Sequence, residues 1–220
     1  MAEKVLRTLA EQVAPGHTAL IIVDPQEDFV GNGGYGVVGL GWDVSRMQAA
    51  LRRLNELIPK ARQAGVMVVW IRTNYASEML TPNVKASWWH MTGGGQASAE
   101  DRPRSTLVKE GTEGARWWSE MIEPLPDEYV ITKWHFDAFE DTSLDLLLKS
   151  TGIKTVIMSG VQTNACVETA IRHAFTKGYY VVLVSDCTDT TSQQEYDATI
   201  LNVRNRFALV ASSSEVSQAW

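Results

Sequence analysis

The 220-residue chain has only two cysteines, Cys166 and Cys187, too few for the disulfide framework that staples small exported domains. Each is then either packing or a reactive thiol. The chain also lacks an apolar run long enough to cross a bilayer; GVMVVWI and YYVVLV have the length of buried strands. Positive charge is scarce, with 20 Lys and Arg against 26 Asp and Glu and a net charge of -6. That balance argues against a nucleic-acid partner and against an anionic membrane surface. Histidine is scarcer still: the four, at 17, 90, 135 and 173, lack metal-ligand spacing, so neither a metal nor another cofactor is expected. The opening MAEKVLRTLAEQ has no apolar stretch followed by a small-residue cleavage site, and the expectation is a cytoplasmic protein. What remains is ordinary: 45% hydrophobic and 21% charged residues, enough for one globular domain over 1–220.

Apolar patterning alternates between short unbroken runs and amphipathic stretches. HTALIIVD (17–24), GVMVVWIRT (65–73), EYVITK (128–133), KTVIMSG (154–160), YYVVLVSD (179–186) and FALVAS (207–212) read as strands. Between them, 44–64, 142–150, 165–177 and 193–204 carry helical spacing, with Gly65, Gly152 and Gly178 placed as stops. Strands apolar on both faces and alternating with helices predict a three-layer α/β/α domain around a mostly parallel six-stranded sheet.

Two segments resist that pattern. GNGGYG at 31–36 matches the dinucleotide fingerprint G-x-G-x-x-G, but its glycines fall in a long loop rather than in a strand-to-helix turn, so it predicts a mobile loop beside the site instead. Residues 74–127 form a long irregular excursion with three successive glycines at 93–95 and the pairs Trp88–Trp89 and Trp117–Trp118. Such an insertion is either a lid, binding loop or subunit contact, or a plain surface insertion with a few packed aromatics.

Chemistry gathers where the strands end. Asp24 ends the first, Lys133 the third, and SGVQTNAC leads from the fourth into the helix beginning near Cys166. Open parallel sheets bind ligands at the carboxyl ends of their strands, so an acid, an amine and a thiol distant in sequence would converge. A thiol at a helix N-terminus beside an ammonium is expected to be shifted toward thiolate. A carboxylate can take and return its proton, and backbone N–H groups of the 162–166 turn can face an oxyanion. Taken singly, Asp24 is an ordinary turn former, Lys133 a solvated strand end and Cys166 a small buried hydrophobe. Together they are a candidate catalytic set.

The segments IIVDPQEDF, ITKWHFDAF and SGVQTNACVETAIRHA resemble the three signature blocks of the isochorismatase-like cysteine hydrolases, over about 17–216. The resemblance implies Cys166 as nucleophile, Asp24 as general base and Lys133 as the supporting cation. It further implies a cis peptide at Val161–Gln162, an oxyanion hole from the amides of Gln162 and Cys166, Phe29 against the substrate, and a dimer or tetramer. By residue type, the Trp pairs at 88–89 and 117–118 are candidate interface residues. Nicotinamidases of this family carry an Asp and His metal cluster after the second strand; WIRTNYASEM has no histidine there, which disfavours nicotinamide. Vinyl-ether hydrolysis needs no cysteine, so Cys166 points to amide or ureide cleavage.

The expected activity is therefore hydrolysis of a linear C–N bond in a small ureido or carbamoyl compound: ureidoacrylate, biuret, triuret or an N-carbamoyl amino acid. Phe29, Asn74, Tyr75, Gln162, Gln193 and Gln194 are the expected substrate contacts. A carboxamide or vinyl-ether hydrolase on the same scaffold, and a non-catalytic binding or redox-sensing member, stand as alternatives. Cys187 and His173 are expected to be structural.

Overall fold

The structure is a computed structural model that describes residues 4–75, 82–83 and 107–220. Trp88, Trp89, His90 and the glycines at 93–95 lie outside the described residues. Six strands, β1 Thr18–Val23, β2 Met67–Thr73, β3 Tyr129–Lys133, β4 Thr155–Val161, β5 Tyr180–Asp189 and β6 Leu209–Ala211, form one sheet in the order β3-β2-β1-β4-β5-β6. Every neighbouring pair is parallel. The expected strands are present with ends moved by a few residues. The largest change is β5, which runs on to Asp189 after a register shift opposite Met158 and Gly160.

Helices cover both faces, and two apolar clusters result. One face packs the helix Ser45–Ala64, whose Met47, Leu51, Leu54 and Ile58 meet Leu20, Ile22 and Trp70. Those positions recur at helical spacing, so a single stripe is buried while Arg52, Arg53 and Lys60 face water. Gly65 ends the helix in the left-handed region at φ 76°, and its N–H caps Ala61 and Arg62. The other face packs Leu144–Ser150 and Glu168–Thr176 against Ile21, Val23, Ile71 and Met158. No described helix is long and apolar enough to cross a membrane.

The Trp117–Trp118 pair corrects one expectation. Trp118 is buried with Leu107, Val108 and Met121 in the first cluster, and the Trp117 ring lies 5.5 Å from that of Trp70. Gln26 and Trp117 form an isolated antiparallel bridge. The returning arm of the insertion is thus part of the core, since both indoles pack into the first cluster. Neither Trp117 nor Trp118 is exposed.

Candidate active site

Strand order brings the predicted residues together. Chain direction away from β1 reverses between β1 and β4, and a crevice opens at such a switch point. Along the carboxyl edge, Lys133 pairs with Thr73 in register, the Asp24 N–H donates to the Ile71 carbonyl at 3.0 Å, and Val23 pairs with Gly160. Four neighbouring strand ends therefore carry the ammonium, the carboxylate and the turn that bears the thiol.

Local backbone geometry aims them. Asp24 takes φ 51°, a left-handed conformation uncommon without glycine, which turns the chain directly out of β1. Gly160 sits at φ 97°, and a Cβ there would lie 2.1 Å from the Val23 carbonyl oxygen and 2.5 Å from its nitrogen. Only glycine allows β1 and β4 to approach so closely at that point. The Val161–Gln162 peptide is cis. Residues Thr163–Val167 then form a wide turn, closed by a bond from the Val167 N–H to the Gln162 carbonyl, before the helix Glu168–Thr176 begins.

Lys133 is the hub. Its Nζ lies 2.8 Å from Asp24 Oδ2 and donates to Cys166 Sγ at 3.3 Å and to the His135 carbonyl at 3.0 Å. Lys133 and Asp24 are both wholly buried. Asp24 Oδ1 accepts from the Thr73 hydroxyl at 2.9 Å. Oδ2 makes the ion pair without a hydrogen bond of conventional geometry, which leaves a lone pair for a proton. Thr73 is itself held by Gln26, which accepts from its N–H at 2.7 Å and donates to its carbonyl at 3.0 Å. Sequence reasoning missed Thr73 and Gln26 as supports of the carboxylate, although Gln26 stands inside the DPQEDF block.

The electrostatics differ from the expected thiolate. Burial pushes the Cys166 thiol up to about 12; Lys133 pulls it down, and Asp24 pushes it up again. Burial opposes the charge on Lys133 as well, but the neighbouring carboxylate and sulfur hold its pKa above the ordinary value. Burial thus favours the neutral thiol of Cys166, and the groups around Lys133 favour its ammonium. Cys166 lies nearly buried within the turn, two residues before the helix Glu168–Thr176, and desolvation outweighs the helix dipole.

Asp24 and Cys166 line a cavity of about 290 Å³. Phe29, Tyr75 and Gln162 line it too, and the Gln162 Nε2 is buried without a partner. The glycine-rich loop contributes Tyr35, Leu40 and Trp42, so it does border the site, and a Cβ on Gly36 would strike the Trp42 ring at 2.5 Å. Phe136, Leu107 and Val161 complete the apolar wall, while Asn164, Thr191 and Glu195 are polar.

Three expected contacts are misplaced. Asn74 follows Thr73 in an extended chain, so its side chain turns away from Asp24; it hydrogen-bonds Glu110 and lines a separate cleft of about 450 Å³. Gln193 and Gln194 are exposed on the first turn of the helix Gln193–Arg206, and Gln193 is engaged by Arg46 and Asp197. Their neighbours Thr191 and Glu195 reach the cavity instead.

His173 faces Asp137, to which its Nδ1 is hydrogen-bonded, and its ring packs 5.5 Å from that of Phe139. Cys187 is buried in the core, where desolvation raises its thiol strongly. Among the described residues one group has the donors for a cation: Asp137, Glu140 and His173, within 4.8 Å of one another. None of them lines the cavity, and a metal would have to displace the Asp137–His173 hydrogen bond.

Comparison with known proteins places this geometry among relatives. The isochorismatase domain family model matches residues 18–215. The ureidoacrylate amidohydrolase RutB of Enterobacter sp. (strain 638) is 29% identical over 209 residues, covering 94% of this chain and 90% of that protein. RutB of Agrobacterium fabrum is 28% identical over 217 residues, covering 93% and 92%. A cysteine hydrolase from Pseudomonas syringae pv. phaseolicola superposes with TM-score 0.79 at 21% identity, covering 100% of this chain and 98% of that one. The N-carbamoylsarcosine amidase of Thermoplasma acidophilum gives TM-score 0.64 at 22% identity, covering 89% and 96%.

Proposed function

Because the chain belongs to the isochorismatase family and is a hydrolase of C–N bonds in linear amides, we propose that Cys166 releases ammonia from a small terminal carbamoyl or ureido group through an acyl-enzyme. The observation that carries this reading is the placing of Lys133 Nζ 2.8 Å from Asp24 Oδ2 and 3.3 Å from Cys166 Sγ, with the sulfur on the wall of a cavity.

Asp24 removes the thiol proton as sulfur bonds to the carbonyl carbon. Burial disfavours a free thiolate, so proton transfer to Asp24 is coupled to attack. Lys133 stays charged throughout and offsets the negative charge that passes from carboxylate to sulfur. The backbone amides of Gln162 and Cys166 receive the oxyanion, and the unpartnered Gln162 Nε2 is a donor in reserve for the substrate carbonyl. Asp24 then delivers its proton to the departing nitrogen, and the C–N bond breaks to give ammonia and a thioester. Water, activated by the same carboxylate, cleaves the thioester and restores the thiol.

Phe29 and Tyr75 are assigned to the substrate wall, which they line with Gln162. The resident chemistry is assigned to these side chains with no metal. A reducing compartment such as the cytoplasm suits a chain whose two cysteines are both free thiols. A dimer or tetramer is the assembly proposed, to be read by sedimentation.

Ammonia release from a panel of small ureas and carboxamides tests the reaction, with acid-quenched intact-mass analysis to catch an acyl adduct on Cys166. Cys166→Ser and Asp24→Asn are expected to abolish release while remaining folded. Turnover by either variant, or an adduct elsewhere, would sink the mechanism.

A further inference from the structure

The described wall of the cavity is mostly apolar and aromatic. Its described lining residues include five aromatic side chains, Phe29, Tyr35, Trp42, Tyr75 and Phe136, and no lysine or arginine. The ammonium of Lys133 is already taken up by Asp24, Cys166 and the His135 carbonyl. Of the two carboxylates facing the cavity, Asp24 is neutralised by that ammonium, and Glu195 is the other. Glu195 occupies the third position of the helix that Ser192 caps, where its charge is favoured by the helix N-terminus. It is exposed, so it marks the mouth of the cavity, while Cys166 marks the floor.

Resting on the acyl-transfer reading above, we infer that this pocket selects a carbamoyl compound with an aromatic or other apolar body and a neutral or cationic far end, and that Glu195 determines this specificity. The carbamoyl group meets Cys166, the aromatic wall takes the body, and the Glu195 carboxylate receives an ammonium or N–H donor at the mouth. A substrate whose far end is a carboxylate, as in a ureido acid, meets like charge at Glu195. At about 290 Å³ the space equals roughly ten waters of liquid volume, so the substrate has on the order of ten non-hydrogen atoms.

Three matched ureas test this: benzylurea carrying a para methyl, a para aminomethyl or a para carboxylate group. Binding is measured by calorimetry to the Cys166→Ser protein, and turnover by ammonia release from the wild type. The aminomethyl compound is expected to bind about tenfold more tightly than the carboxylate, the size expected for replacing attraction by repulsion at an exposed charge. In the same Cys166→Ser background, Glu195→Gln should bring that ratio to within about twofold of unity, and Glu195→Lys should invert it. Equal or tighter binding of the carboxylate, no measurable binding of any of the three, or a ratio indifferent to Glu195 overturns the inference. Binding in the expected order without ammonia release from the wild type would leave the specificity standing and refute the acyl-transfer reading instead.

Discussion

Lys133→Met is the substitution whose cost the site fixes most closely. It leaves the Asp24 carboxylate buried with no counter-charge, and breaking a buried pair from one side costs about 3–5 kcal/mol. The donors to the His135 carbonyl and to Cys166 are lost as well, each a contribution of about 1 kcal/mol. We expect about 5–7 kcal/mol in all, a large share of the roughly 5–15 kcal/mol that stabilises a typical domain. Asp24→Asn in the same molecule removes the orphaned charge while keeping an acceptor for the Thr73 hydroxyl. The double variant should therefore regain at least half of the loss, which makes the coupling strongly non-additive. Urea titration followed by tryptophan fluorescence and far-ultraviolet circular dichroism measures all three variants, with buried Trp70 as one reporter. The measurement is independent of catalysis, since each variant is expected to be inactive. A loss below about 1 kcal/mol for Lys133→Met, or a double variant as unstable as the sum of the singles, would refute the buried-pair argument.

Iodoacetamide labelling of Cys166 should be slow at neutral pH and quicken about tenfold per pH unit from 7 to 10, since burial holds the thiol near 12; an intact-mass time course showing a plateau near neutrality would contradict this. Gly160→Ala should prevent native folding or cost more than about 4 kcal/mol, because its Cβ would meet Val23 backbone at 2.1 Å and the backbone is left-handed; a melting temperature close to wild type would refute the close-approach argument. Glu128 accepts from Arg62 Nε at 2.7 Å, from the Trp70 indole at 2.8 Å and from the Leu125 N–H at 3.0 Å. Burial acts to raise its carboxyl, but those donors outweigh it and hold the group below the usual carboxylate range. A lowered native pKa contributes stability above that range and loses it as pH falls through it, so Glu128→Gln should cost about 1–3 kcal/mol at pH 7 and much less near pH 3 by urea titration.

Much of this was readable from residue order alone, and the reasons differ from place to place. The strands announced themselves because both faces of the sheet are covered, so their runs are continuously apolar; β1 is buried at all six positions. Asp24 and Lys133 were findable because a polar residue at the carboxyl end of such a run has few places to point. Asn74 misled because consecutive residues of an extended chain face opposite ways, and nothing local says that Thr73 takes the inward side. Gln193 and Gln194 misled because a helix entry sweeps about 100° per residue, and Glu195 rather than its neighbours falls on the cavity side. The thiol's protonation was misjudged because the helix-end argument counts the dipole and omits desolvation, which depends on long-range packing of the turn. The burial of Trp117 and Trp118 could not be read ahead because aperiodic sequence carries no burial signal, although both lie against the core.

The three reacting groups are far apart along the polypeptide, at 24, 133 and 166, and become neighbours only through strand exchange across the sheet. A ribosome releasing this chain from its amino terminus would deliver the β1–β2–β3 half first, carrying both members of the charge pair. The Cys166 thiol emerges only afterwards. The constellation is complete only when β4 has paired with β1 and brought the turn beyond residue 161 to the edge where Asp24 and Lys133 stand.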